Sequence, residues 1–218
     1  MAICDVILPC RDEAPALRDL LSRMPEGFSP IVVDNGSTDG TSDVAASLGA
    51  RVVSEPRPGY GAAVHAGLLA ATAEFVAVMD GDGSMDPAAL IGLLDAVRDG
   101  RADLAVGRRR PTAKGVWPWH ARAGNAAVLW WLRGRIDLPV RDIAPMRVSR
   151  REAMLELGVE DRRFGYPVEL LQRAANQGWR FAELDITYAP RAEGTRSKVS
   201  GSLSGTVRTA RDFARVLS

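Results

Sequence analysis

Phe75-Val76-Ala77-Val78-Met79-Asp80-Gly81-Asp82-Gly83-Ser84 is an apolar run that ends abruptly in two carboxylates spaced one residue apart. A short run of this kind without polar alternation reads as a strand covered on both faces. Side chains at i and i+2 of a strand project the same way, roughly 6 to 7 Å apart. Asp80 and Asp82 can therefore reach one site at the strand's carboxyl edge, where open α/β sheets bind ligands. Two hard oxygen donors beside glycines suit Mg²⁺ or Mn²⁺, ions that also grip a diphosphate. The same residues equally fit a plain polar turn, since Asp and Gly dominate turns for backbone reasons. A calcium loop does not fit, because its sixth position needs Gly and its twelfth Glu, where this chain has Met85 and Ile91.

The neighbouring sequence repeats the pattern. Residues 3–8 read as a strand broken by Pro9, and residues 16–24 carry helical apolar spacing after Pro15. A buried strand at 31–33 ends in Asp34-Asn35-Gly36-Ser37-Thr38-Asp39-Gly40, a turn-rich segment that caps a helix through Leu48. A third strand at 51–54 leads through a Pro- and Gly-rich loop to a helix over 62–71, before the fourth strand at 75–79. Asp86-Pro87 opens a helix running to about Arg98, and 104–107 is a fifth strand. This βαβαβαβαβ rhythm predicts an α/β protein with a mostly parallel sheet and helices on both faces.

The second half is less regular. A basic loop at Arg108-Arg109-Arg110 precedes a tryptophan-bearing stretch at 117–132 and a segment at 142–147. Helices over 150–157 and 167–177, a strand at Phe181–Tyr188 and a terminal helix from about Leu203 complete the expectation. Trp117, Trp119, Trp130 and Trp131, with Val128, Leu129 and Leu132, admit two readings: buried core, or an interfacial element that touches lipid or holds a prenyl chain.

At 218 residues and 46% hydrophobic composition the chain can bury one substantial core. A net charge of +1 gives no long-range attraction to nucleic acid, so any basic site is local. Cys4 and Cys10 have neither zinc nor redox spacing and fit a reducing cytosol. No charged-then-apolar leader and no apolar run of about 18 residues appears. A cytoplasmic protein, at most peripheral at the inner face of a membrane, is expected.

Leu8-Pro9-Cys10-Arg11-Asp12-Glu13, Val32-Val33-Asp34-Asn35-Gly36-Ser37-Thr38-Asp39-Gly40-Thr41, Pro58-Gly59-Tyr60-Gly61-Ala62-Ala63 and Met79-Asp80-Gly81-Asp82-Gly83-Ser84 resemble, in order, the motifs of family 2 glycosyltransferases. Within that family the chain is most similar to the dolichyl- or polyprenyl-phosphate sugar synthase branch, through residues 142–147, 166–171 and 191–201. The resemblance covers nearly the whole chain. It implies a GT-A fold, a Rossmann-like single domain over residues 1–218, with about 1–107 binding the nucleotide sugar and about 108–218 the acceptor. It also implies an inverting, metal-dependent transfer from a nucleoside-diphosphate sugar, with Mg²⁺ or Mn²⁺, to a polyprenyl phosphate or a small-molecule acceptor.

Carried over residue by residue, Pro9, Asp12 and Glu13 line the nucleoside pocket, although the family more often has Asn where Asp12 stands. Asp34 accepts hydrogen bonds from the base, and Gly59 and Gly61 let the backbone approach the nucleotide. The glycines are not a dinucleotide fingerprint, which would need Gly where Val64 stands. Asp80 and Asp82 hold the metal and the donor's ribose or diphosphate, Asp82 the more directly. Arg109, Arg122, Arg147, Arg191, Arg196 and Lys198 surround the donor and acceptor phosphates, Arg147 and Arg196 foremost. An extra residue between Gly194 and Ser197 leaves the choice between Arg191 and Arg196 open. Glu169 or Asp142 would be the base for an alcohol acceptor, whereas a phosphate acceptor is already anionic and needs positive charge instead. An internal salt bridge is the other reading of Glu169.

Two alternatives come from other classes. A sugar-1-phosphate nucleotidyltransferase would show an early Gly-rich loop, but no glycine precedes Gly27. A non-catalytic nucleotide-sugar-binding module would keep the pocket without turnover.

Overall fold

The computed structural model describes residues 2–195 and Asp212. In chain order its elements are β1 (Cys4–Cys10), α1 (Ala14–Ser22), β2 (Phe28–Asp34), α2 (Thr41–Ser47), β3 (Arg51–Ser54), α3 (Tyr60–Ala70), β4 (Phe75–Val78), α4 (Ala89–Arg98), β5 (Leu104–Pro111), α5 (Trp119–Arg133), β6 (Met146–Arg150), α6 (Arg151–Glu156), α7 (Tyr166–Asn176) and β7 (Phe181–Tyr188). The expected helix from Leu203, together with Arg196 and Lys198, lies outside the described residues.

β1 lies between parallel neighbours: Cys10 stands opposite Asp34 of β2, and Ile7 opposite Val78 of β4. The seven strands run in the order β3-β2-β1-β4-β6-β5-β7. The chain leaves β1 toward β2 on one side and reaches β4 on the other. The carboxyl ends of these strands therefore flank the crevice at which doubly wound sheets bind ligands.

Helices cover both faces. Val6, Leu8 and Cys10 of β1 pack with Leu17 and Leu20 of α1 and with Leu90 and Leu93 of α4. Ile7 points the other way, into a cluster with Val64 and Leu68 of α3, Leu129 of α5 and Leu171 of α7. Each such fully buried aliphatic side chain contributes about 1.5–3 kcal/mol. Both faces being buried is why the strands lack polar alternation.

Two sequence expectations are corrected. The first strand does not break at Pro9, which pairs with Val33. β4 is in register with β1 only from Cys4 to Ile7, so no ladder on that edge requires the amide that proline lacks. The Arg108-Arg109-Arg110 run is not a loop but the outer end of β5, held parallel to β7 from Leu104–Phe181 to Pro111–Tyr188. Arg110 pairs there with Asp185 at 2.8 Å.

β6, which no local apolar pattern marks, stands between β4 and β5, antiparallel to both, with Arg147 opposite Val78 and Val106. Running against its neighbours, β6 starts where they end, which brings the 142–147 segment to the ligand-binding edge. Among the described residues no helix is long and apolar enough to cross a membrane.

Candidate active site

The acidic end of β4 is set by close packing. Met79 donates its amide to the Ile7 carbonyl at 3.1 Å, extending the ladder to the carboxylates. Gly81 is required by space, because a Cβ there would lie 2.4 Å from the Cys10 sulfur. Asp82 turns inward and is 1% exposed. Its Oδ1 accepts from the Ser84 amide at 2.9 Å and the Ser84 hydroxyl at 2.6 Å. Its Oδ2 faces Arg191 Nη1 at 2.9 Å, and its carbonyl accepts from the Ala192 amide at 3.0 Å. Asp80 is half-buried. Burial, then repulsion from Asp82, pushes its carboxyl up to about 6 against the pull of Arg191, Arg109 and Arg147. The two acids do share one site, but Asp82 is already engaged, and Asp80 offers the more accessible oxygens.

Three of the expected arginines converge on this carboxylate. Arg109, at the outer end of β5, forms a two-point pair with Asp142: Nε to Oδ2 at 2.9 Å and Nη2 to Oδ1 at 2.7 Å. Its guanidinium also stacks 4.0 Å above the Trp117 ring. Burial would raise the Asp142 carboxyl, but Arg109's hydrogen bonds and charge outweigh it and hold the group below its ordinary value. Asp142 therefore orients Arg109, a role different from the base considered for it.

Arg147 is 1% exposed. Its Nε and Nη2 both donate to the Ala144 carbonyl, at 3.0 and 2.6 Å. Among the described residues Nη1 is buried with no hydrogen bond of good geometry, its neighbour being the Tyr60 hydroxyl. It belongs to a cluster with the buried hydroxyls of Tyr60 and Tyr166, and burial pushes Tyr60 up to about 12 while the Arg147 charge pulls it down. Ala144 holds φ +56°, a left-handed conformation that costs alanine on the order of 1 kcal/mol. Ala144 and Tyr60 were not singled out in the sequence, since neither residue type carries a motif of its own. Arg122, by contrast, is exposed on α5 and is not brought into the cluster.

The expected nucleoside pocket is built from two loops stitched together. Asp12, at φ +52°, accepts from the Thr38 amide at 2.8 Å, and its own amide donates to Ser37 Oγ at 3.0 Å. The Glu13 amide donates to Thr41 Oγ1 at 3.0 Å, and Glu13 is buried. Pro9 stands half-buried at the end of β1 beside them. Asp34 accepts from the Ser37 amide at 2.8 Å and from the Ser42 hydroxyl. Burial opposes these bonds, but together they hold the Asp34 carboxyl below its usual value. Asn35, absent from the sequence-derived site, is the hub. It donates to the carbonyls of Glu55 at 2.8 Å and Arg57 at 2.7 Å and accepts from the Gly59 amide at 2.8 Å. Its place in the turn after β2 was the available signal.

Gly59 and Gly61 have a packing reason as well. A Cβ on Gly59 would lie 2.1 Å from the Arg162 carbonyl oxygen, and one on Gly61 would lie 2.4 Å from that of Asp161. The Gly61 and Ala62 amides donate to the Arg163 and Arg162 carbonyls at 3.0 and 2.9 Å. The close approach these glycines permit is thus to the 161–163 backbone, which also satisfies the amides at the start of α3. Glu169 holds that same segment. It accepts from the amides of Glu160 at 2.9 Å and Asp161 at 2.7 Å and from Arg173 Nε at 2.6 Å. Its geometry is that of the internal salt bridge.

Residues 5–149 match the family described as Glycosyl transferase family 2. An uncharacterized glycosyltransferase of Mycobacterium tuberculosis is 58% identical over 213 residues, covering 98% of this chain and 97% of that protein. Polyprenol monophosphomannose synthase of Mycolicibacterium smegmatis is 32% identical, covering 90% of this chain and 81% of that one. The crystal structure of glucosyl-3-phosphoglycerate synthase from M. tuberculosis with Mn²⁺, uridine diphosphate and phosphoglyceric acid superposes with a TM-score of 0.76 at 23% identity, over 99% of this chain and 77% of that chain.

Proposed function

The chain belongs to glycosyl transferase family 2, and on that premise we propose that it moves a sugar from a nucleoside-diphosphate donor to a polyprenyl phosphate, inverting the anomeric carbon. The observation that carries this reading is the gathering of Arg109, Arg147 and Arg191 around Asp80 and Asp82 at the carboxyl edge of β4.

The residues fit a divalent cation of the Mg²⁺ or Mn²⁺ kind. Among the described residues no cluster of three metal-ligating side chains exists, only the carboxylate pair. Such a pair suits these ions, which commonly take one or two carboxylates and complete their shell with water and substrate phosphate. When bound, the cation supplies charge neutralisation to the departing nucleoside diphosphate. Asp80 and Asp82 would hold it, with Arg191 released from Asp82 to meet the phosphates instead.

The remaining chemistry belongs to the chain. Arg109 is held rigid by Asp142 and Trp117, so its placement costs little at the moment of reaction. Among the described residues Arg147 presents a buried Nη1 that only the Tyr60 hydroxyl approaches. A phosphate acceptor arrives ionised, so cations that position it replace a general base, consistent with Glu169 being committed to its loop. Asp34 and Asp12 frame the pocket we assign to the nucleoside. A nucleotidyltransferase reading loses its ground with the family assignment.

The test is direct. Thermal shift against nucleoside-diphosphate sugars with Mg²⁺ or Mn²⁺ identifies the donor, since binding only the folded state raises stability by mass action. Transfer is then measured to a polyprenyl phosphate and, in parallel, to a phosphorylated small acid. Asp80→Asn should lower transfer by about a hundredfold or more with the fold intact. Unchanged turnover in that variant, or exclusive use of the soluble acceptor, overturns the proposal.

A further inference from the structure

Among the described residues α5 presents an unpartnered outer face. Val128, Leu129 and Leu132 are buried against the core, whereas Trp119 and Trp130 are 79% and 78% exposed. The two are separated by roughly three helical turns, which puts them on one stripe about 16 Å long. Ala123 and Ala126, also exposed, lie between them. Nothing about folding this chain demands two tryptophans in water, so the stripe needs another explanation.

The surrounding charge supplies one. Residues 104–136 hold seven Lys and Arg and no Asp or Glu, in a chain whose net charge is only +1. Lys114 and Arg122 are exposed and form no ion pair among the described residues. Among the described residues Arg133 and Arg135, at the far end of the helix, bond only carbonyls or stack on Trp131. A cationic rim around an aromatic stripe matches an anionic bilayer surface, where indole rings settle among headgroups and arginines meet lipid phosphates.

We propose that α5 and the basic segment before it dock this protein peripherally on an anionic phospholipid membrane, with Trp119 and Trp130 at headgroup depth. The docked face is coupled to the site. The Asn125 side chain of α5 accepts from the Ile143 amide at 3.0 Å, next to Asp142, and Trp117 stacks on Arg109. Docking would thus hold the arginine cluster near a lipid-borne phosphate. The inference deepens the acceptor reading but is measured without donor, cation or acceptor, so the two fail separately.

The full chain is pelleted with vesicles of phosphatidylcholine alone or of equal parts phosphatidylcholine and phosphatidylglycerol. Binding is expected to the mixed vesicles only, weakening as salt rises. Trp119→Ala with Trp130→Ala should weaken it about tenfold or more, and Lys114→Gln or Arg122→Gln about fivefold each. Leu69→Ala with Ile91→Ala, exposed apolar side chains of α3 and α4, should leave it unchanged. In the parent protein, lipids brominated on the acyl chain should quench tryptophan fluorescence, a readout independent of how the variants fold. Absence of binding, equal binding by the tryptophan variant, or a dimer in free solution that this variant converts to monomer overturns the proposal, the last by assigning the face to a second copy.

Discussion

Gly59→Ala separates two reasons for a glycine beside a nucleotide site. Gly59 has φ +148° and ψ 141°, a region open essentially to glycine alone, so alanine there costs about 1–3 kcal/mol in backbone strain. Its new Cβ would sit 2.1 Å from the Arg162 carbonyl oxygen, where real contacts do not fall below 3.0 Å. The 161–163 backbone must therefore retreat by about 1 Å, lengthening the bonds from the Gly61 and Ala62 amides, worth about 1 kcal/mol each. The sum is about 3–5 kcal/mol, against a total stability of about 5–15 kcal/mol. Gly36→Ala is the comparison: φ is +82° but nothing lies within 4 Å of the added carbon, so only strain of about 1 kcal/mol remains. Equilibrium urea unfolding of both variants, with donor affinity by calorimetry, gives the answer. Should Gly59→Ala be no less stable than Gly36→Ala yet lose donor binding, the glycine serves the nucleotide and the packing argument is wrong.

Other variants probe the charge cluster. Arg191→Gln leaves the Asp82 carboxylate buried without its cation, costing about 3 kcal/mol. Its melting temperature should then rise more on adding Mn²⁺ without donor than the parent's does, and equal rises would show that Arg191 does not compete for Asp82. Asp142→Asn breaks the pair with Arg109, also at about 3 kcal/mol near neutral pH. The Asp142 carboxyl is held below its unfolded value, so its contribution is complete above about pH 4 and disappears as pH falls through the lower folded value. The stability gap between parent and variant should accordingly narrow on acidification, and a gap that widens would refute the pairing. Arg147→Met trades a buried charge with one unpartnered nitrogen for an apolar chain, so unfolding stability should change by no more than about 1 kcal/mol while transfer falls by about a hundredfold. A variant that keeps its activity would remove Arg147 from the site.

What the sequence disclosed follows the range of the interactions involved. β4 is a continuous apolar run, and β1 and β2 carry one over Val6–Leu8 and Ile31–Val33, because both faces are covered there, so their pattern is local and legible. Asp80 and Asp82 were legible for the same reason: their shared direction is a property of two residues on one strand end. β6 is equally buried, yet Arg147 and Ser149 interrupt its apolar run. Those polar groups are tolerable only because Ala144 and Asp103 offer carbonyls to them, and Asp103 lies 46 residues away in sequence from Ser149. A strand whose burial depends on distant acceptors has no local signature.

The same limit applies to the site's charges. Arginines near phosphates were expected, but which carboxylate holds each one was not, since Arg109 meets Asp142 and Arg191 meets Asp82 only across the folded sheet. These pairings change the chemistry rather than decorate it. They turn Asp142 from a candidate base into the anchor of a cation, and they leave Asp82 closed by Arg191 until something more strongly charged displaces it. The sequence named candidate groups, while the tertiary ion pairs determine which of them are free to act.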